Sequence, residues 1–104
     1  MNNFDLIFYL KTSLNKNYIV NSFIFGSIAK GSNNPNDCDL FIVTNQLPHL
    51  KEWKEFLKEL ESVQSKFQEI FKIKLHITIN TENEFLEYSP FKDRILKRPS
   101  IKII

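Results

Sequence analysis

Apolar and polar positions follow a helical period in some stretches of the chain and a strand period in others. Apolar residues at spacings of three and four predict an amphipathic helix over residues 3–14, capped by Asn2 or Asn3. The residues that define its repeating face are Phe4, Ile7, Phe8, Lys11 and Leu14. The same spacing predicts a longer helix over residues 48–71, with Pro48 in its first turn.

Between and after these helices the pattern changes to that of strands. Residues 18–25 are β-branched and aromatic and stop at Gly26, and residues 38–43 form a short apolar run typical of a buried strand. Strict alternation over residues 73–80 predicts a strand buried on one face. Capping-box spacing over residues 81–84 opens a short helix to about Tyr88, and a last strand is predicted over residues 101–104. Helices that alternate with strands indicate an α/β protein.

Length and composition limit what the chain can be. With 104 residues and 42% hydrophobic content, residues 1–104 are predicted to form one domain with a single core and no second lobe. A net charge of +2 names no partner, and one cysteine, Cys38, excludes an internal disulfide. No apolar run approaches membrane-spanning length, and the first residues lack the basic start of a signal peptide. We therefore expect a cytoplasmic protein without a membrane partner.

The stretch FGSIAKGSNNPNDCDLFIV, residues 25–43, holds both glycines of the chain and two acids one residue apart. A Gly26-Ser27 turn directly after a strand aims backbone N–H groups at an anion, with the Ser27 hydroxyl as a further donor. Asp37 and Asp39 project from one face of their strand, roughly 7 Å apart, where they can hold Mg²⁺ together with nucleotide phosphates. An Asp-x-Asp pair taken alone is more often two hairpin acids without a metal.

Taken together, this motif resembles the nucleotidyltransferase superfamily related to DNA polymerase β, especially its minimal and kanamycin-type members. The resemblance is detailed over residues 20–43, and the order of elements extends it over most of the chain. It implies a small mixed sheet of three to four strands with helices packed mainly on one face. It also implies that the two acids hold Mg²⁺ and that the turn binds ATP or another nucleoside triphosphate. The implied nucleotide-binding residues are Gly26, Ser27, Lys30 and Gly31.

The sequence departs from the family at one position. The family carries a third acid on the strand after the long helix, and strand parity places His76 on the corresponding open face, with Lys74 and Thr78. An imidazole is a poor Mg²⁺ ligand but can accept a proton or ligate a softer metal. The alternative is a strand-edge histidine without a role. Glu82 and Glu84 replace the acid only if the chain folds back over the site.

Two functions follow from this resemblance. The first is a Mg²⁺-dependent transfer of a nucleoside monophosphate, AMP from ATP, to a hydroxyl, for which the family implies a small helical HEPN protein as acceptor in a toxin-antitoxin pair. The second is a catalytically degenerate binding module or antitoxin that acts by covering its partner. Kanamycin-type enzymes close their cleft with a second lobe or a dimer mate, so a homo-oligomer is also implied. The basic tail, with Lys92, Arg94, Lys97, Arg98 and Lys102, is interpreted as a solvated segment in preference to an RNA contact.

Overall fold

A computed structural model describes residues 3–32, 35–87 and 99–104 of the chain. In this described part of the chain, three helices and four strands follow one another in the order α1, β1, β2, α2, β3, α3, β4. Their bounds are α1 Asn3–Ser13, β1 Ile19–Phe25, β2 Asp37–Thr44, α2 Lys51–Phe71, β3 Lys74–Thr81, α3 Glu82–Glu87 and β4 Ile101–Lys102. The predicted α/β alternation is confirmed. The predicted helix end at Tyr88 and most of the basic tail lie outside the described residues.

The four strands form one mixed sheet in the order β3-β2-β1-β4. β1 pairs antiparallel with both β2 and β4, whereas β2 and β3 run parallel. Two parallel neighbouring strands need a crossover connection. Here α2 provides it: the helix follows β2 in the chain, packs against the sheet and leads into β3. β2 therefore lies inside the sheet, hydrogen-bonded on both sides, with the two predicted acids at its start.

The core lies between the helices α1 and α2 and one face of the sheet. α2 buries Phe56, Leu60, Val63 and Phe67, whose spacings of four, three and four place them on one helical face. Cys38, Leu40 and Ile42 of β2 contribute the facing layer. The opposite face of the sheet, which carries Asp37 and Asp39, is called the open face below. Among the helices in the described residues, α3 reaches this face, where the Phe85 ring contacts Phe41 at 5.8 Å between centroids.

The buried stripe of α1 departs from the predicted one at Phe4 and Phe8. Phe4 and Phe8 are 69% and 60% exposed, while Leu6, Leu10 and Leu14 are buried in the core. Nearly every position of this helix from Phe4 to Leu10 is apolar, so more than one helical stripe fits the sequence. The observed stripe goes with a contact to α2, in which the Tyr9 hydroxyl donates to the Val63 carbonyl at 3.2 Å.

The other element boundaries agree with the predictions to within three residues. α2 begins at Lys51, so Pro48 lies in the preceding turn instead of in the first helical turn. The capping box at the start of α3 is confirmed: the Thr81 N–H donates to the Glu84 carboxylate at 2.9 Å, and the Glu84 N–H donates to the Thr81 hydroxyl at 3.2 Å. None of the described helices combines the length and apolarity that a bilayer crossing requires.

Candidate active site

A tight turn over residues 26–32, called the glycine turn below, connects the end of β1 to the segment before β2. Gly26 and Gly31 have φ values of 81° and 87°, a region that residues with side chains rarely adopt. The Lys30 N–H donates to the Gly26 carbonyl at 3.2 Å, which closes one helix-like turn. Ile28 is buried in the core. Asn3 of α1 donates to the Ser32 carbonyl at 2.6 Å, which ties the end of the turn to α1.

The first backbone N–H groups of the glycine turn stay available to a ligand. The carbonyls of Gly26, Ser27 and Ile28 accept hydrogen bonds from later residues of the turn. Within the described part of the chain, the N–H groups of Ser27, Ile28 and Ala29 donate to no other protein group. Ser27 and Lys30 are also exposed. The turn therefore offers several free donors and one exposed cation to an anion.

Asp37 and Asp39 extend from the open face at the start of β2. Cys38 between them points into the core and is fully buried, as strand alternation requires. Asp39 pairs directly with Phe25, the last residue of β1, and so lies beside the glycine turn. A Cβ built on Gly26 would stand 2.9 Å from the Asp39 Oδ2 atom. Glycine at position 26 thus serves both the backbone conformation and the space for this carboxylate.

His76 joins the two acids from β3. It is the register partner of Asp39 in the parallel pair, so both side chains point to the open face. Its Nε2 atom lies 3.5 Å from Asp37 Oδ2, with 55% of the His76 side chain and 47% of the Asp37 side chain exposed. One ligand atom from each of Asp37, Asp39 and His76 can be chosen so that all three lie within 4.8 Å of one another.

The electrostatics of Cys38 reflect the same arrangement. Burial raises the pKa of its thiol from 9.0 to about 12, and the neighbouring charges of Asp39 and Asp37 act in the same direction. The thiol is therefore protonated at neutral pH and cannot act as a nucleophile. This agrees with the interpretation of Cys38 as a core residue.

The donor set fits a divalent cation bound mainly through oxygen. Two carboxylates on one strand face, with a ligand atom of each inside a 4.8 Å group, are the donors that Mg²⁺ prefers. The imidazole is a softer ligand and suits transition metals better. The space at Gly26 is consistent with this fit, because a side chain there would push against Asp39.

The remaining candidates are placed elsewhere. Glu82 lies six residues beyond His76, which corresponds to roughly 20 Å along an extended strand. Glu84 is engaged in the cap of α3. Both acids therefore lie at the far end of β3 from Asp37. Of the predicted basic tail, Lys92, Arg94, Lys97 and Arg98 lie outside the described residues, and Lys102 is exposed on β4.

Two hydrogen-bonded contacts that hold β3 beside the site could not be predicted from the sequence. Gln64 and Gln68 of α2 reach the start of β3: the Gln64 amide donates to the Leu75 carbonyl at 2.6 Å, and the Leu75 N–H donates to Gln68 Oε1 at 3.1 Å. β3 is an edge strand, so these bonds hold its outer side next to His76. Two glutamines on a charged helix have no pattern that distinguishes them from solvated residues.

A mixed sheet with a glycine turn after β1 and a pair of carboxylates at the start of the neighbouring strand β2 is the arrangement expected of a nucleotidyltransferase core. A family model described as polymerase beta, nucleotidyltransferase, matches residues 6–98. The chain belongs to this family. A solved structure described as "Crystal structure of the toxin-antitoxin with AMP-PNP" is similar in fold, with a TM-score of 0.54 and 14% identity over all of this chain and 73% of that chain. A comparison with curated protein sequences finds no match.

Proposed function

We propose that this protein transfers AMP from ATP to a hydroxyl group of a protein acceptor, with release of pyrophosphate. The observation that carries the proposal is the meeting of Asp37, Asp39 and His76 within 4.8 Å, beside a turn with free N–H donors. The family membership supports the reaction class, and the AMP-PNP named for the similar structure supports the choice of ATP.

In this proposal the glycine turn binds the triphosphate. The N–H groups of Ser27 and Ile28 and the Ser27 hydroxyl donate to phosphate oxygens, and Lys30 offsets their charge. Asp37 and Asp39 hold Mg²⁺, which would neutralise charge on the triphosphate when bound. Gly26 keeps the Asp39 carboxylate in reach of the turn, because any side chain there would displace it.

His76 is proposed to accept the proton of the acceptor hydroxyl. The oxygen freed of its proton forms a bond to the α-phosphorus of ATP. The bond from that phosphorus to the oxygen bridging it to the β-phosphate then breaks, and pyrophosphate leaves. The Asp37 carboxylate lies 3.5 Å from the imidazole nitrogen Nε2.

The similar structure is described as a toxin-antitoxin, and the resemblance to minimal nucleotidyltransferases implies a HEPN partner. We therefore propose a HEPN-type helical protein as the acceptor, with this chain as the antitoxin. The test is transfer from ATP radiolabelled at the α-phosphate to such a partner. Asp39→Asn should retain the fold and lose Mg²⁺-dependent ATP binding by calorimetry. Equal ATP affinity for Asp39→Asn and the parent would contradict the assignment.

A second candidate function rests on the absence of a third carboxylate from the group that holds Asp37, Asp39 and His76 among the described residues. A binding module of this fold would cover its partner without chemistry. His76→Asp separates the two, because it adds an oxygen ligand and a potential base. If the parent transfers no AMP and the His76→Asp variant does, the natural protein is a binding module. An active parent that His76→Asp does not accelerate would support the enzyme.

A further inference from the structure

The described residues form an open cleft where the start of β3 meets the end of α2. Its volume is about 420 Å³, and its lining residues are Asn36, Gln68, Lys72, Ile73 and Lys74. Every polar side chain in this set carries N–H donors, and none of the set is acidic. We call this feature the lysine cleft.

The donors of the lysine cleft are unpaired within the described ranges 3–32, 35–87 and 99–104. The ammonium groups of Lys72 and Lys74 make no ion pair there. Gln68 uses its carbonyl oxygen to accept the Leu75 N–H, which leaves its amide N–H groups free. A concave surface lined by free donors and two cations favours an anion.

Lys72 occupies a backbone position that normally selects against a lysine. It ends α2 with φ 61° and ψ 24°, the left-handed conformation in which glycine is the usual residue. It is the one non-glycine residue with positive φ in the described part of the chain. A side chain kept at a strained position is a reason to look for its use.

The lysine cleft adjoins the candidate active site on the side away from the glycine turn. Asn36 directly precedes Asp37, and Lys74 is the register partner of Asp37 in β3. The glycine turn follows β1, on the other side of β2. In-line transfer requires the attacking and leaving groups to lie on opposite sides of the phosphorus. An acceptor that attacks a triphosphate bound at the turn therefore approaches from the β3 side.

We propose that the lysine cleft binds a carboxylate side chain that lies next to the acceptor hydroxyl on a protein partner. This inference rests on the proposed function, because it assigns the acceptor to the β3 side of that same site. A short cationic surface fits one or two carboxylates. A polynucleotide needs a longer basic track than the two lysines of this cleft provide.

The first test measures binding without ATP or metal. Nuclear magnetic resonance titrations compare a capped Glu-Glu-Tyr-Glu-Glu peptide with its Gln-Gln-Tyr-Gln-Gln analogue at low salt. The acidic peptide should bind about tenfold more tightly and shift the amide signals of residues 72–74. Lys72→Gly and Lys74→Ala should each weaken its binding about threefold, the usual effect of losing one exposed ion pair. Lys54→Ala, which removes an exposed charge elsewhere on α2, should leave binding unchanged.

Lys72→Gly should also change the thermal stability, in the opposite direction to peptide binding. Glycine relieves the left-handed strain, so the thermal midpoint should rise by about 4 °C while peptide binding falls. Equal binding of the two peptides, or full binding by both lysine variants, would overturn the proposal. So would tighter binding of a hexa-adenylate oligonucleotide than of the acidic peptide at the same residues, because the acceptor would then be a nucleic acid.

Transfer assays separate this inference from the proposed function. If the acidic peptide binds as expected but no AMP reaches a protein partner, the lysine cleft stands and the proposed reaction fails. If the parent transfers AMP and both lysine variants transfer it equally well, the reaction stands and the lysine cleft is not its acceptor site.

Discussion

Replacing each glycine of the turn by alanine tests the site with a matched pair of variants. Gly26 and Gly31 have nearly the same backbone conformation, with φ values of 81° and 87°. An alanine in this region costs about 1–2 kcal/mol relative to glycine. Gly26→Ala and Gly31→Ala should therefore lower the free energy of unfolding by similar amounts.

The two variants differ in what the new Cβ meets. At position 31 no atom lies within 4 Å, whereas at position 26 the Asp39 Oδ2 atom lies 2.9 Å away. Asp39 is exposed, so its carboxylate rotates away at little cost in stability. The rotation removes it from the group formed with Asp37 and His76. Displacing a ligand's support typically weakens metal binding by about tenfold or more.

Urea unfolding measures the stability of both variants, and calorimetry with Mn²⁺ measures the metal site. We expect Gly26→Ala to lose at least about tenfold in Mn²⁺ affinity and Gly31→Ala to bind as the parent does. Titrations are made where both variants are fully folded. Equal losses of Mn²⁺ affinity in the two variants would show that the strain of the turn, and not the contact with Asp39, controls the site. Normal Mn²⁺ binding by Gly26→Ala would refute the proposal that the space at Gly26 keeps the Asp39 carboxylate in the metal site.

Three further predictions concern residues of the surrounding fold. Gln68→Ala should speed hydrogen exchange of the Leu75 amide, because it removes the acceptor of that N–H. Gln68→Glu keeps an acceptor and should preserve the protection. Equal exchange in the parent and both variants would contradict the role of the Gln68 hydrogen bond in holding β3. The Cys38 thiol should resist a disulfide reagent at pH 8 until the protein unfolds. Its folded pKa is raised, so stability should also fall as the pH rises from 9.0 towards about 12, by more than in Cys38→Ala. Thr81→Ala should cost about 1 kcal/mol in urea unfolding and Thr81→Ser little, because serine keeps the hydroxyl that caps the Glu84 N–H.

Most of the fold was predicted from local sequence patterns such as strand alternation and helix caps. The parity of Asp37, Cys38 and Asp39 depends only on strand alternation, and the structure places the two acids on the open face and the cysteine in the core. The capping box of α3 is likewise a local pattern. The predicted stripe of α1 is wrong at Phe4 and Phe8, although its member Leu14 is buried; the apolar residues of α1 fit several helical faces, and packing against α2 selects Leu6 and Leu10.

Contacts between distant residues could not be predicted in the same way. The approach of His76 to Asp37 depends on the register of β2 against β3, which the sequence of either strand leaves open. The hydrogen bonds from Gln64 and Gln68 to Leu75 depend on where α2 crosses the sheet. The position of the lysine cleft depends on both. The predicted roles of the site residues in nucleotide and metal binding stay predictions until the variants are measured.

The parallel pairing of β2 with β3 also affects the order in which the site assembles. β1 and β2 are neighbours in sequence, so their hairpin brings Gly26 and Asp39 together by closing a short loop. Asp39 and His76 are 37 positions apart, and they meet only after α2 has formed and crossed the sheet. Because closing long loops is slow, we expect the imidazole to reach the two carboxylates in a late folding step. A partly folded chain would then carry both acids without His76, so metal affinity during refolding should report the half-built site before the complete one.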